Sequence, residues 1–149
     1  MREFISELQE FERAITDTRR PGPEMKAEYF DFLQKEIEQK SGRLFVIRAN
    51  AEPIGFASCW IEHEDNPTHT TESNVYGFIS DAYIVPEYRG KGIFERVDQK
   101  IHEYFSSFSE IRHVRLYVLA ENRFAIQAYK KSGYDPQEIT FVKKLDRKA

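Results

Sequence analysis

The sequence has few of the signals that mark disulfides, membrane spans or metal sites. A single cysteine, Cys59, excludes an internal disulfide, so a reducing cytoplasm is the expected location. No apolar run is long enough to cross a membrane, and no apolar stretch follows residues 1–4 as it would in a signal peptide. The four histidines lack metal-ligand spacing, so no metal is expected. A formal net charge of −3 argues weakly against nucleic acid as the main partner.

The composition that remains is that of a folded domain. Its 40% apolar and 32% charged residues suit a globular protein, and 149 residues predict one domain over 1–149. Apolar residues at helical spacing predict helices over 2–16, 24–39 and 93–105, and a short helix between Asn122 and Gly133. Strand composition occurs in five segments, 44–49, 54–62, 75–85, 112–119 and 139–145. The first two strands predict a hairpin, and the whole order predicts an α/β or α+β domain around one sheet.

Residues 86–97, PEYRGKGIFERV, form a glycine turn between the third predicted strand and a helix. Amides at a helix start attract phosphate, and Gly90 and Gly92 allow a close backbone approach. Arg89 and Lys91 add positive charge. An ordinary strand-to-helix turn with solvated cations explains the spacing equally well. The turn is neither a P-loop nor a dinucleotide fingerprint, since Glu95 stands where the latter needs a small residue.

Two sequence blocks resemble the GCN5-related N-acetyltransferase (GNAT) superfamily. The first, DAYIVPEYRGKGIF at 81–94, is similar to the family's cofactor signature, except that Phe94 replaces a small residue. The second, VRLYVLAENRFAIQAYKKSGY at 114–134, resembles the strand and helix that follow in the family. The hairpin LFVIRANAEPIGFA at 44–57 also resembles the family's central hairpin. Because both blocks occur in the right order, the resemblance is much more specific than the glycine spacing alone.

The resemblance implies a mixed, mostly antiparallel sheet flanked by helices. Its central strands, 75–85 and 112–119, would splay apart and admit the pantetheine arm of acetyl-CoA. The usual first strand is missing, because the sequence begins with helix-like residues. A sheet edge without that strand needs covering, so a homodimer is expected.

The resemblance also implies an acetyl-CoA-dependent N-acetyltransferase that transfers acetyl to a primary amine by direct attack in a ternary complex. Tyr129 would protonate the departing thiolate, and Asn122 would cap its helix and contact the cofactor. Phe94 is expected to tuck its ring against the core beside Val97 and Ile101, leaving the turn amides free. The expected cofactor contacts are backbone groups of Ala82, Tyr83, Ile84, Arg89, Gly90, Lys91, Gly92, Ile93 and Phe94.

The general base is left open by the sequence. Many relatives carry a glutamate where this chain has Phe78, which cannot take a proton. Asp81 is the preferred candidate, although simple strand alternation places it on the opposite face from Phe78. The further candidates, besides a water relay, are Glu62, His63, Glu64 and Asp65.

The acceptor is undetermined between a small molecule and a protein amine. An acidic rim is expected from Glu24, Glu28, Asp31, Glu62, Glu64, Asp65 and Glu72. A catalytically silent acyl-CoA-binding sensor or interaction module is the alternative, since Phe78 and Phe94 both depart from the family pattern. An acyltransferase with a larger acyl group is a third possibility.

Overall fold

The computed structural model describes residues 1–147, which contain four α-helices, two short 3-10 helices and four strands. The helices are α1 Arg2–Ile15, α2 Gly22–Gln39, α3 Ile93–Phe105 and α4 Arg123–Lys131. The strands are β1 Arg43–Ala49, β2 Glu52–His63, β3 Val75–Ile84 and β4 Val114–Leu116. Among the described residues, no helix combines the length and the apolar character that crossing a membrane requires.

The four strands form one mixed sheet in the order β1-β2-β3-β4. β1 and β2 form the predicted hairpin, whose turn places Asn50 and Ala51 at φ of 48° and 70°. β2 and β3 are also antiparallel, whereas β3 and β4 are parallel. The predicted fold class, a mixed and mostly antiparallel sheet flanked by helices, is therefore confirmed, and the sheet begins only after two helices.

Alternating side chains of β2 pack into two separate hydrophobic cores, one on each face of the sheet. Phe56 and Trp60 face α1 and α2, where they pack with Ile5 and Leu33. The opposite face packs against α3 and contains Ala57, Cys59, Ile61, Ile79, Ile101 and Phe105. We call these the α1/α2 face and the α3 face.

The C-terminal segment departs from the sequence prediction. Residues 135–147 contain neither helix nor strand, so the predicted strand over 139–145 is wrong. Its apolar side chains are exposed, Phe141 to 91%. β4 has only three residues, so it offers a very short edge for hydrogen bonds to a further strand. A segment with strand composition does not form a strand unless it can pair with such an edge.

The two N-terminal helices cross closely at Gly22. A Cβ built there would lie 2.5 Å from both the carbonyl and the hydroxyl oxygen of Ser6 on α1. The Gly22 amide also donates to Glu10 Oε1 at 2.6 Å, which satisfies a free amide at the start of α2. The contact fixes the 16–21 connection above the α1/α2 face.

Gly22→Ala should therefore lower the free energy of unfolding by about 1–3 kcal/mol, because the added methyl group must displace backbone. Urea unfolding followed by circular dichroism measures this loss. Ala27→Leu, at an exposed position on α2, is the control and should stay within about 0.5 kcal/mol of the parent. Equal stability of Gly22→Ala and the parent would show that the helices separate at no cost.

Candidate functional site

β3 and β4 separate after only three paired positions. Gly77, Phe78 and Ile79 pair with Val114, Arg115 and Leu116. Beyond Ile79, the remainder of β3 has no strand neighbour on that side within the described part of the chain. The predicted splay is present, and its open edge offers backbone groups that an extended ligand can pair with as an added strand would.

A β-bulge at Ser80 sets the directions of the β3 side chains. Ser58 pairs with Asp81 and Cys59 pairs with Ile79, so Ser80 is an extra residue. Such an insertion reverses the alternation. Phe78 lies opposite Trp60 and Asp81 opposite Ser58, so both occupy the α1/α2 face. The expectation that Asp81 and Phe78 lie on opposite faces is wrong, because that alternation assumed an unbulged strand.

The Asp81 carboxylate accepts three hydroxyl hydrogen bonds at one oxygen. Tyr29, Ser58 and Ser80 donate to Oδ2 at 2.9, 3.0 and 2.8 Å. Within residues 1–147, Oδ1 accepts none. Burial raises the pKa of Asp81, and the hydroxyls oppose that shift because they stabilise the charged form. Asp81 therefore joins α2 to β2 and β3 and keeps one free oxygen.

Tyr129 lies on α4, with a half-buried side chain whose ring packs edge-on against Phe94 at 5.2 Å between centroids. Its hydroxyl has no hydrogen-bond partner among the described residues. Burial, followed by the charges of Asp81, Glu12 and Asp98, raises its pKa to about 12. The phenol is therefore protonated at neutral pH and free to donate a hydrogen bond.

The glycine turn has the geometry of an anion cradle. Gly90 and Gly92 adopt φ of 74° and 72°, in the left-handed region that favours glycine. Gly92 is the N-cap of α3 and no side chain caps this helix start. In the part of the chain that the structure describes, no acceptor faces the amides of residues 90–94. The turn thus fits a phosphate group.

The backbone and the side chain of Arg89 both bind residues that precede the two glycines of the turn. Its amide donates to the Pro86 carbonyl at 3.2 Å, so it is not free as the amides of 90–94 are. Its Nε donates to the Ile84 carbonyl at 2.7 Å, and its guanidinium lies over the Tyr83 ring at 5.4 Å. Arg89 therefore fixes the turn to the end of β3.

The predictions for Phe94 and Asn122 have different outcomes. Phe94 packs on Tyr129 of α4, and it is not among the side chains that cover the core around Ile101, so the predicted position of its ring is wrong. The ring turns toward α4 instead, where Tyr129 provides an edge-on aromatic contact. Asn122 is the predicted N-cap, and its Oδ1 accepts from the Ala125 amide at 3.2 Å.

Tyr134 fastens the far end of α4 to α3. Its hydroxyl donates to Asp98 Oδ1 at 2.6 Å, and His102 Nε2 lies 2.9 Å from the same hydroxyl. Asp98 is buried, and that burial raises its pKa. Tyr134 also packs against Tyr129 at 6.2 Å between ring centroids, so this contact helps to position Tyr129.

A family profile decides what this arrangement is. The profile of the Acetyltransferase (GNAT) family matches residues 5–134. The chain belongs to the GNAT acetyltransferase family.

GNAT relatives match over most of this chain. An uncharacterised N-acetyltransferase of Methanocaldococcus jannaschii is 32% identical over 114 residues, or 74% of this chain; the match spans 46% of that relative's length. The uncharacterised N-acetyltransferase YycN of Bacillus subtilis is 28% identical over 120 residues, which cover 80% of this chain and 72% of YycN.

Solved structures show the same fold. The structure of YycN has a TM-score of 0.69 at 23% identity and covers 98% of this chain and 90% of its own. An acetyltransferase of Clostridium acetobutylicum, solved with acetyl-CoA, has a TM-score of 0.67 at 18% identity, with 97% and 92% covered.

A cleft of about 410 Å³ lies between α1 and α2 of this GNAT chain, and Tyr29 joins it to Asp81. Of the seven acidic residues expected at an acceptor rim, only Glu28 lines it, and it pairs with Arg20 at 2.9 Å. The residues that line the cleft are Gln9, Thr18, Arg19, Arg20, Met25, Glu28, Tyr29 and Phe32.

The other sequence candidates for the base lie toward the opposite end of the sheet. Glu62 pairs in register with Tyr76, five residues before Asp81 on β3, or roughly 16 Å along a strand. Glu62 accepts from Trp60 Nε1 at 2.5 Å and from Lys40 Nζ at 3.0 Å, and Glu64 accepts from Tyr76 at 2.6 Å. Both carboxylates hold structural contacts away from Tyr129.

Tyr134→Phe should lower the free energy of unfolding by about 1–3 kcal/mol, because the buried Asp98 loses its hydroxyl donor. Chemical denaturation measures the loss. Tyr117→Phe is the matched control, since Tyr117 is 71% exposed and should tolerate the same change within about 0.5 kcal/mol. Equal losses in the two variants would contradict a specific role for the Asp98 contact.

Proposed function

We propose that residues 1–149 form one N-acetyltransferase domain that transfers the acetyl group of acetyl-CoA to a primary amine in a ternary complex. The observation that carries this proposal is the junction at the end of β3. There the open strand edge leads directly into the glycine turn with its free amides, and the unpaired phenol of Tyr129 lies beside that turn.

The cosubstrate would lie along this junction. Backbone groups of Ala82, Tyr83 and Ile84 would pair with the amides of the pantetheine arm, as one strand pairs with another. The amides of residues 90–94 would hold the pyrophosphate at the positive end of α3, with Lys91 beside them and Asn122 as a further contact. A homodimer remains a prediction, and β1 and β4 are the two sheet edges available to it.

The reaction forms one bond between the amine nitrogen and the acetyl carbon and breaks the carbon–sulfur bond. An amine with a pKa of ~10 is almost fully protonated at neutral pH, so it must first lose a proton. We propose that Asp81 takes that proton at Oδ1. Its raised pKa makes it a better proton acceptor than an ordinary aspartate.

Tyr129 would stabilise the departing sulfur. Burial raises the pKa of Tyr129 to about 12, above that of an ordinary thiol, so a complete proton transfer from the phenol to the thiolate is unfavourable. A hydrogen bond from the phenol to the developing negative charge has no such cost. Tyr129 therefore acts as a hydrogen-bond donor during bond cleavage. The nitrogen releases its second proton to solvent as the amide forms, and the departing thiolate takes a proton from solvent.

The direct test is CoA release over a panel of primary amines, followed with a thiol reagent. Cys59 is fully buried and burial raises its pKa to about 12, so the protein itself should contribute little signal. Amine-dependent CoA release supports the transferase. Saturable CoA binding without release from any amine would favour the silent sensor, and absence of CoA binding would reject both functions.

Gly90→Ala should weaken CoA binding about tenfold, because a non-glycine residue at this φ costs roughly 1–2 kcal/mol and distorts the cradle. Titration calorimetry measures the change. Gly133→Ala is the matched control: Gly133 has φ of 91° and, like Gly90, open space around a Cβ, but it lies at the end of α4. If both variants lose affinity equally, the turn is not the binding site.

Tyr129→Phe should lower kcat by roughly ten- to hundredfold, the value of one hydrogen bond to a charged group, while CoA affinity stays within about twofold. Steady-state kinetics and calorimetry measure the two quantities separately. Tyr104→Phe removes another tyrosine hydroxyl, one that donates to Ser41, and should leave kcat unchanged. Unchanged turnover in Tyr129→Phe would remove Tyr129 from the reaction.

A further inference from the structure

Glu12 occupies an unusual position on α1. Ile5 and Leu8 pack into the α1/α2 core, and Glu12 follows them at helical spacing on the same side of the helix. A carboxylate on the core-facing side of an amphipathic helix is rare unless it is paired or functional. The Glu12 side chain is 30% exposed, so it is partly covered and still reachable.

Arg19 holds one oxygen of Glu12 and leaves the other available. The Arg19 Nε donates to Glu12 Oε2 at 2.8 Å from the 16–21 connection. In residues 1–147, Oε1 of Glu12 has no hydrogen-bond partner. Arg19 also lines the cleft between α1 and α2, so the ion-pair partner of Glu12 faces that opening.

The cleft connects the Glu12–Arg19 pair to the proposed reaction centre, because Arg19 and Tyr29 both line it. The charge of Glu12 agrees with this placement, since it contributes, after burial and the nearer groups, to raising the pKa of Tyr29, Asp81 and Tyr129. Tyr29 lines the cleft and donates to Asp81, so the cleft and the reaction centre meet there. Glu28 also lines the cleft, but its side chain is 72% exposed at the mouth.

We propose that Glu12 binds the ammonium group of the acceptor through Oε1, and that Arg19 is the positioning residue that keeps this carboxylate oriented. This inference rests on the proposed acetyltransferase function and assigns its acceptor site. A primary ammonium carries three donors and a full positive charge, so it matches a half-buried carboxylate with one free oxygen.

The remainder of the cleft indicates the body of the acceptor. Phe32 is 46% exposed and stacks against Tyr29 at 5.6 Å between centroids, so an apolar or aromatic face is available in the cleft that Arg19 also lines. Glu28 is the only carboxylate among the described lining residues and is paired with Arg20, so the cleft wall offers no free carboxylate for a second cationic group. The acceptor class is therefore a monoamine with an apolar or aromatic body.

The test uses 2-phenylethylamine as the probe and spermidine as the comparison. Binding to the CoA-saturated protein is measured by ligand-detected NMR, and CoA release is measured in parallel. Glu12→Gln should weaken 2-phenylethylamine binding by roughly ten- to hundredfold while CoA affinity changes less than about twofold. Glu38→Gln, the control, removes an exposed carboxylate of α2 that does not line the cleft and should change amine binding less than about threefold. Glu12→Asp should recover part of the loss, since the charge is retained.

The outcomes separate this inference from the proposed function. Amine binding that depends on Glu12 without CoA release rejects the transferase and keeps the ammonium site. CoA release from amines with no dependence on Glu12 keeps the transferase and overturns the ammonium site. A fall in kcat at unchanged amine affinity would make Glu12 the base and overturn its binding role. Parallel loss of CoA affinity, absence of amine binding in the parent, or tighter binding of spermidine would each contradict the proposal.

Discussion

The extra residue in β3 controls the direction of every side chain that follows it. Without the bulge at Ser80, Asp81 would face α3 and Tyr83 would leave the core beneath α1. With it, the carboxylate points to the α1/α2 face, where Tyr29 and Ser58 donate to it. The same irregularity directly follows Ile79, the last residue of β3 that pairs with β4, and a bulge strengthens the local twist of a strand. One inserted residue thus accompanies both the open edge and the position of the acid.

The glycine turn is held from both sides by contacts that leave its amides free. On the strand side, Arg89 binds the last carbonyl of β3 and covers Tyr83. On the helix side, Phe94 packs against Tyr129, and Tyr134 ties α4 to Asp98 of α3. A set of amides binds an anion more tightly when it is already ordered in the free protein, because binding then causes little further loss of conformational entropy. The bulky residue at Phe94 therefore joins the cradle to the helix that carries the phenol.

The sequence allowed a prediction of the features that depend on local chemistry. The alternating and helical patterns indicated the hairpin, the helices and a single sheet, and the family resemblance implied that this sheet is mixed. The positive φ of Gly90 and Gly92 agrees with their residue type. Features that depend on partners were not predictable in this way. The bulge shifts the face of Asp81 without any local signal, and the strand composition of 139–145 misled because no adequate edge receives it. The sequence does show a carboxylate, Glu12, within the apolar stripe of α1. Interpreting it required the structure, because the sequence does not show how α1 packs against the sheet.

The charges around Asp81 connect acceptor binding to proton removal. Burial and, among the charged groups, Glu12 raise the pKa of Asp81, and each group that raises this pKa makes the aspartate a stronger proton acceptor. An ammonium bound at Glu12 offsets part of that repulsion while it is charged. Once the amine gives up its proton the positive charge is gone, and a proton on Asp81 restores the balance of charge. A carboxylate pair of this kind therefore holds the charged amine beside the acid that receives its proton, and the neutral amine left by that transfer is the form that attacks.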